Sequence, residues 1–249
     1  VSGGWSLEKI DFQNLMEGKN NWKASVSTNG GTPCAINSVV ASNPDISSPT
    51  LLSLEVISDK SIKLQFSEPM DSLMLTFTEN YEIDNGVGHP ESIMLQGDVY
   101  SIALLNLSSP MVASIKYNLC FNQSITDFSG NPIASDCQFL ALPQLPVRND
   151  IVINEVLFNP YAGGVDFVEV YNRSEKTVDL SKMFLANRNS TTNLLEQVFS
   201  MSDTSRLLFP NEYAVVSADP DLVKKYYRTE NEKAFVQTIG IPSYNNDEG

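Results

Sequence analysis

Residues 151–172 read IVINEVLFNPYAGGVDFVEVYN. Apolar and β-branched residues crowd both ends of this stretch, and its middle holds Asn159-Pro160 and Gly163-Gly164. Pro fixes φ and removes a donor while Gly opens the left-handed region, so the middle is a turn. The flanks, Ile151–Leu157 and Asp166–Tyr171, are then two half-buried β-strands. Downstream, LLFPNEYAVVSAD predicts a turn and a strand over Glu212–Ser217. The following PDLVKKYYR predicts one short helix, with Asp219 as N-cap and Pro220 at its first position.

Upstream, residues 143–150 and 42–50 are Pro-containing polar linkers. Between them, residues 51–142 carry seven short apolar runs: LLSLEVI, SIKLQFS, NYEID, SIMLQ, VYSIALLN, SIKYNLCF and CQFLALP. Turn signals separate them, the pattern of an antiparallel β-sandwich. In the second run, Ile62, Leu64 and Phe66 share one face, and Pro69 stops the strand. Residues 1–41 hold GGWSLEKID, NNWKAS and NGGTPCAINS, a strand or two closed by a Gly/Pro turn.

The INEV.FNP…DFVEVYN pattern, followed by DLS…FLANR, resembles the start of a lamin-tail domain of the bacterial surface-protein type. SDKSIKLQFSEPMD with ITDFSGNPI resembles the bacterial Ig-like domain of S-layer and surface proteins. Residues 1–41 resemble the closing segment of a lamin-tail domain, with Lys9 for the usual Arg and Cys34 where the pattern prefers Gly. These resemblances imply an all-β chain of two Ig-like antiparallel β-sandwiches in tandem, with one short helix. Residues 1–41 would be closing strands, 51–142 the Ig-like domain and 151–249 an incomplete lamin-tail-like sandwich. The N-terminal strands are expected to join a sheet edge, in cis or across chains, with Trp5 and Trp22 inside a sandwich core.

Sixteen Lys and Arg against thirty Asp and Glu leave a net charge of −14. That field repels nucleic acid and anionic membrane surfaces, so neither is an expected partner. Lys224, Lys225 and Arg228 are flanked by acids and read as a solvated helix face. At 42% hydrophobic and 18% charged, the chain should fold. No apolar run reaches transmembrane length, so no membrane insertion is expected within this segment. The chain opens at Val1 and is expected to be a piece of a larger, exported protein.

Cys120 and Cys137 flank a turn-rich segment. Adjacent antiparallel strands would bring them within bridging range, and a bridge would mean export. Two buried free thiols are the other reading, and Cys34 is left over in both.

His89, the single histidine, lies in a Gly/Pro loop without the partners that a triad or histidine metal site needs. Carboxylates are the abundant candidates, Glu68 in the run FSEPMD among them. Glu155 and Glu169 sit in the two opening strands, where a paired-carboxylate or metal-dependent hydrolase could use them. Cross-sheet hydrogen bonds, or pairing with Arg173 or Arg188, are their structural alternative. No cofactor is expected. A structural Ca²⁺ would take Glu82, Asp84 and Asn85, or Asn245, Asn246, Asp247 and Glu248.

Tyr161, Tyr226 and Tyr227 are candidates for a stacking platform for sugars, Tyr161 above all because its Gly-rich loop should be exposed. Asp71-Ser72-Leu73 resembles the O-glycosylation signal of exported Bacteroidetes proteins and would modify Ser72. The expected function is non-catalytic: spacing, adhesion or ligand presentation, at the cell surface, outside the cell or in the periplasm. The resemblance implies an outer-membrane-anchored parent, and other domains or surface proteins as partners. The alternatives are an accessory glycan-binding module of a secreted hydrolase and, third, the carboxylate-based hydrolase.

Overall fold

A computed structural model describes residues 3–16, 18–97 and 99–243. Strands β1 (Leu7–Lys9) and β2 (Trp22–Ala24) pair antiparallel and form a sheet of their own. They do not join an edge of either sandwich of the same chain among the described residues, contrary to the in-cis expectation. The reason lies in their tether. Asp11 Oδ2 accepts the Asn43 N–H at 2.8 Å, and the Asn14 amide donates to the Asn43 carbonyl at 2.8 Å. Asn131 Nδ2 in turn donates to the Asp45 carbonyl, so polar bonds fix the ribbon to one end of the next domain. Trp5 (55% exposed) and Trp22 are therefore open to water, not in a core.

All seven runs of the middle region form strands. They are β3 (Leu51–Ser58), β4 (Ser61–Phe66), β5 (Tyr81–Ile83), β6 (Pro90–Gln96), β7 (Ile102–Leu107), β8 (Tyr117–Phe121) and β9 (Cys137–Leu140). Four make one sheet in the order β3-β4-β7-β6, and β5-β8-β9 make the facing sheet. Ile62, Leu64 and Phe66 of β4 are buried between the sheets with Leu105, Tyr117 and Leu119, while Lys63 and Gln65 on the opposite side are only half-buried. This is the period-2 alternation of a sheet with one face on a core. Helix α1 (Ser72–Thr76) bridges β4 and β5. Asp71 caps it by accepting the Leu73 and Met74 N–H groups and Leu75 anchors it in the core.

The third region opens on β10 (Ile151–Leu157) and β11 (Phe167–Asn172), antiparallel with a register shift between Ile153 and Glu155. Then come β12 (Val178–Asp179), β13 (Phe184–Arg188), β14 (Leu195–Ser200), β15 (Leu207–Leu208) and β16 (Tyr213–Ser217). Helix α2 (Pro220–Tyr226) starts with the Asp219 carboxylate accepting the Leu222 N–H, and β17 (Phe235–Gln237) ends the order. The main sheet is β10-β11-β16-β17, with the ribbons β12-β15 and β13-β14 beside it. Among the described residues two α-helices are thus present, where one is expected from the sequence. One strand pair, β16 with β17, is parallel, because α2 crosses over between its strands. Val168, Val170, Leu180, Ala214 and Val216 centre this second core.

Candidate functional site

Glu155 and Glu169 are direct cross-strand partners on β10 and β11. Glu155 is exposed and Glu169 half-buried, where its Oε1 accepts the Asn154 amide at 2.6 Å. Pairing with Arg173 or Arg188 does not form among the described residues. The Arg188 guanidinium instead donates to the Asn193 carbonyl and side chain. His89 is occupied by the Tyr81 carbonyl at 2.6 Å. Ser72 opens α1, and its carbonyl accepts the Thr76 hydroxyl. Cys120 and Cys137 lie opposite one another on β8 and β9 and are joined as a disulfide, whereas Cys34 is free and exposed.

The three tyrosines come together. Tyr161, 65% exposed, stacks on Tyr227 with ring centroids 5.8 Å apart and lies 6.1 Å from Tyr226. Tyr227 is braced edge-on by the buried Phe167. The loop that carries Tyr161 closes through a 2.7 Å bond from the Gly164 N–H to the Tyr161 carbonyl. Gly163 sits at φ +82°, a conformation that other side chains rarely adopt. The turn chemistry thus places an aromatic surface at one end of the third region.

Of the carboxylates that converge on a common point, only Glu68, in the run FSEPMD, stands among the candidates read from the sequence. Asp45, Glu68 and Asp127 place ligand oxygens within 4.8 Å of one another, a set suited to a hard cation. Buried Asp127 also closes its own loop, accepting the Ser129 and Asn131 N–H groups and the Asn131 amide, all at 2.8 Å. Asp84, by contrast, is engaged with Asn85 and the Asn118 N–H, and residues 245–248 lie outside the described residues. Positions 45, 68 and 127 are too far apart in the chain for a spacing pattern to reveal them.

The joint between the two sandwiches centres on Lys116. Its ammonium lies 4.2 Å from the Phe139 ring centroid and 4.1 Å from that of Phe209, and 3.7 Å from Glu212. Phe139 belongs to the middle domain, whereas Phe209 and Glu212 belong to the third region. A cation held between two rings gains from both ring faces. The Gln144 N–H donates to the Thr177 carbonyl at 2.8 Å, and Leu207 packs against the middle core. At the end of the connecting segment, Asp150 pairs with Lys176 of the third region at 2.7 Å, which holds its carboxyl below the usual range. The second linker is thereby pinned near both of its ends.

Residues 38–140 match the family model of the bacterial Ig-like domain, and residues 145–243 match that of the Lamin Tail Domain. Among solved structures, the chain is similar to the N-terminal part of the bacterial S-layer protein SbsC. The identity is 16% and the TM-score 0.35, over 69% of this chain and 44% of that one. It is also similar to native alpha-2-macroglobulin from Escherichia coli, at 14% identity and a TM-score of 0.31, over 76% of this chain and 71% of that one. The chain spans less than half the length of the S-layer structure. No curated protein matches it.

Proposed function

We propose that this chain, a bacterial Ig-like domain joined to a lamin tail domain, is a non-catalytic spacer that sets the relative orientation of its neighbours in an exported surface protein. One observation carries the reading: the linker between the domains is pinned, and Lys116 is clasped between Phe139 and Phe209 across the joint. A flexible tether would carry no such contacts. The Cys120–Cys137 bridge fits an oxidising compartment. Both domain types are of a kind that ordinarily does no chemistry, and His89 and Glu169 are engaged in hydrogen bonds of the fold. Adhesion and presentation of other domains follow from a fixed orientation.

Small-angle scattering and NMR relaxation of the whole chain test this. One scattering shape and one tumbling time for both domains are expected. Independent tumbling of the two domains, or a profile that requires many relative orientations, would sink the spacer reading.

Glycan binding is the second reading, and the Tyr161–Tyr227 stack supports it. Titration with neutral oligosaccharides should then perturb the Tyr161 and Tyr227 ring resonances, and Tyr161→Ala should abolish the response at Tyr227.

A further inference from the structure

The cleft beside the joint has the composition of a ligand site. One cavity of about 480 Å³ is lined by Lys116, Phe139, Arg206, Asn211, Tyr213 and Lys233 among others. A second, of about 540 Å³, shares Gln138, Arg206 and Lys233 with it, so the two adjoin along one groove wall. Cavities of this size between domains are where small ligands bind.

Three cations face the groove in a chain of net charge −14. Lys116 is already paired with Glu212. Arg206 donates to the Lys233 carbonyl, but among the described residues neither Arg206 nor Lys233 has a carboxylate within ion-pair distance. Two carboxylates also line it, Glu212, which is taken up by Lys116, and Asp203 at the far end, and the walls between carry side-chain amides and the exposed rings of Phe139 and Tyr213. Amides both donate and accept, as sugar hydroxyls require, and rings offer a face for the apolar side of a pyranose.

We propose that this groove binds a carboxylate-bearing saccharide. Arg206 and Lys233 take the acid group, Asn211 and Asn231 the hydroxyls, and Phe139 with Tyr213 the ring face. The site is separate from the Tyr161 surface and goes beyond the spacer role. Because Phe139 comes from the Ig-like domain and Arg206 from the lamin tail domain, an occupant would also bridge the two.

Calorimetric titration of the intact chain with oligogalacturonate, its methyl-esterified form and a glutamate-rich peptide tests the assignment. The acid oligomer should bind and weaken as salt rises, and the ester should not bind. The Arg206→Gln/Lys233→Gln double variant should keep the wild-type melting profile and lose affinity by roughly tenfold or more, as the loss of charge-assisted bonds requires. Absence of binding, equal binding of the ester, an unaffected double variant or a preference for the peptide would each overturn it.

Discussion

Glu8 shows what one residue does for the N-terminal ribbon. It is only 4% exposed, and burial pushes its pKa up. Hydrogen bonds from the Ser38 hydroxyl and N–H and the Thr32 hydroxyl, each at 2.7 Å, outweigh that and hold the carboxyl at about 2, below its ordinary 4.5. A carboxylate whose pKa is depressed on folding contributes stability that is complete above its unfolded pKa and lost as pH falls through the folded one. The ribbon should therefore loosen between pH 4.5 and 2. Both tryptophans of the chain, Trp5 and Trp22, lie in or beside it, so Trp fluorescence reports this segment alone. Glu8→Gln should give the loosened signal already at neutral pH and flatten the profile; a wild-type signal constant across that window would count against the linkage. Residue patterns foretold part of this region. Cys34, where the lamin-tail pattern prefers Gly, has φ +61°, the conformation for which Gly is favoured. The network around Glu8 left no such trace, since it joins a strand to hydroxyls 24 and 30 residues on.

The strands are the most legible elements, because alternation and burial enforce each other. Ile62, Leu64 and Phe66 are 0–2% exposed. Leu64→Ala should cost about 2–5 kcal/mol in chemical denaturation, since the cavity it leaves cannot fully collapse. Helix α1 was not legible, because five residues show no helical period and its cap works through a single Asp. The N-terminal edge pairing within the chain failed for a different reason. Alternation marks a strand but does not say which edge it finds, and here polar bonds to Asn43 decided the placement. On β8 and β9 the Cys120–Cys137 bridge closes a separation of 17 residues. Reduction of that bridge should destabilise the Ig-like domain by about 3 kcal/mol, through the freedom returned to its unfolded chain. The thermal transition of that domain should fall under reductant while the lamin tail transition holds; a bridge that matters equally to both would shift them together.

At the scale of the molecule, the site was the least legible part, because it is assembled from three separate segments. Lys116 follows the loop before β8, Phe139 lies on β9 and Phe209 follows β15, and no spacing pattern links such positions. Its energetics can still be isolated. Each ring face contributes about 0.5–1 kcal/mol to a partly exposed cation, and the Glu212 pair, 44–46% exposed at its side chains, adds little. Lys116→Ala and Phe209→Ala should therefore be non-additive across the joint, with a coupling energy of roughly 0.5–1 kcal/mol in the lamin tail transition. Lys116→Ala with Phe139→Ala should couple within the Ig-like domain instead, which separates clasping from local packing. Additive behaviour for the Phe209 pair would mean that the two domains only touch, and the fixed orientation would then have to come from the pinned linker at Asp150 and Lys176. A measured coupling places the rigidity at the joint itself, where the groove begins, so that an occupant of the groove and the Lys116 clasp would act on the same degree of freedom.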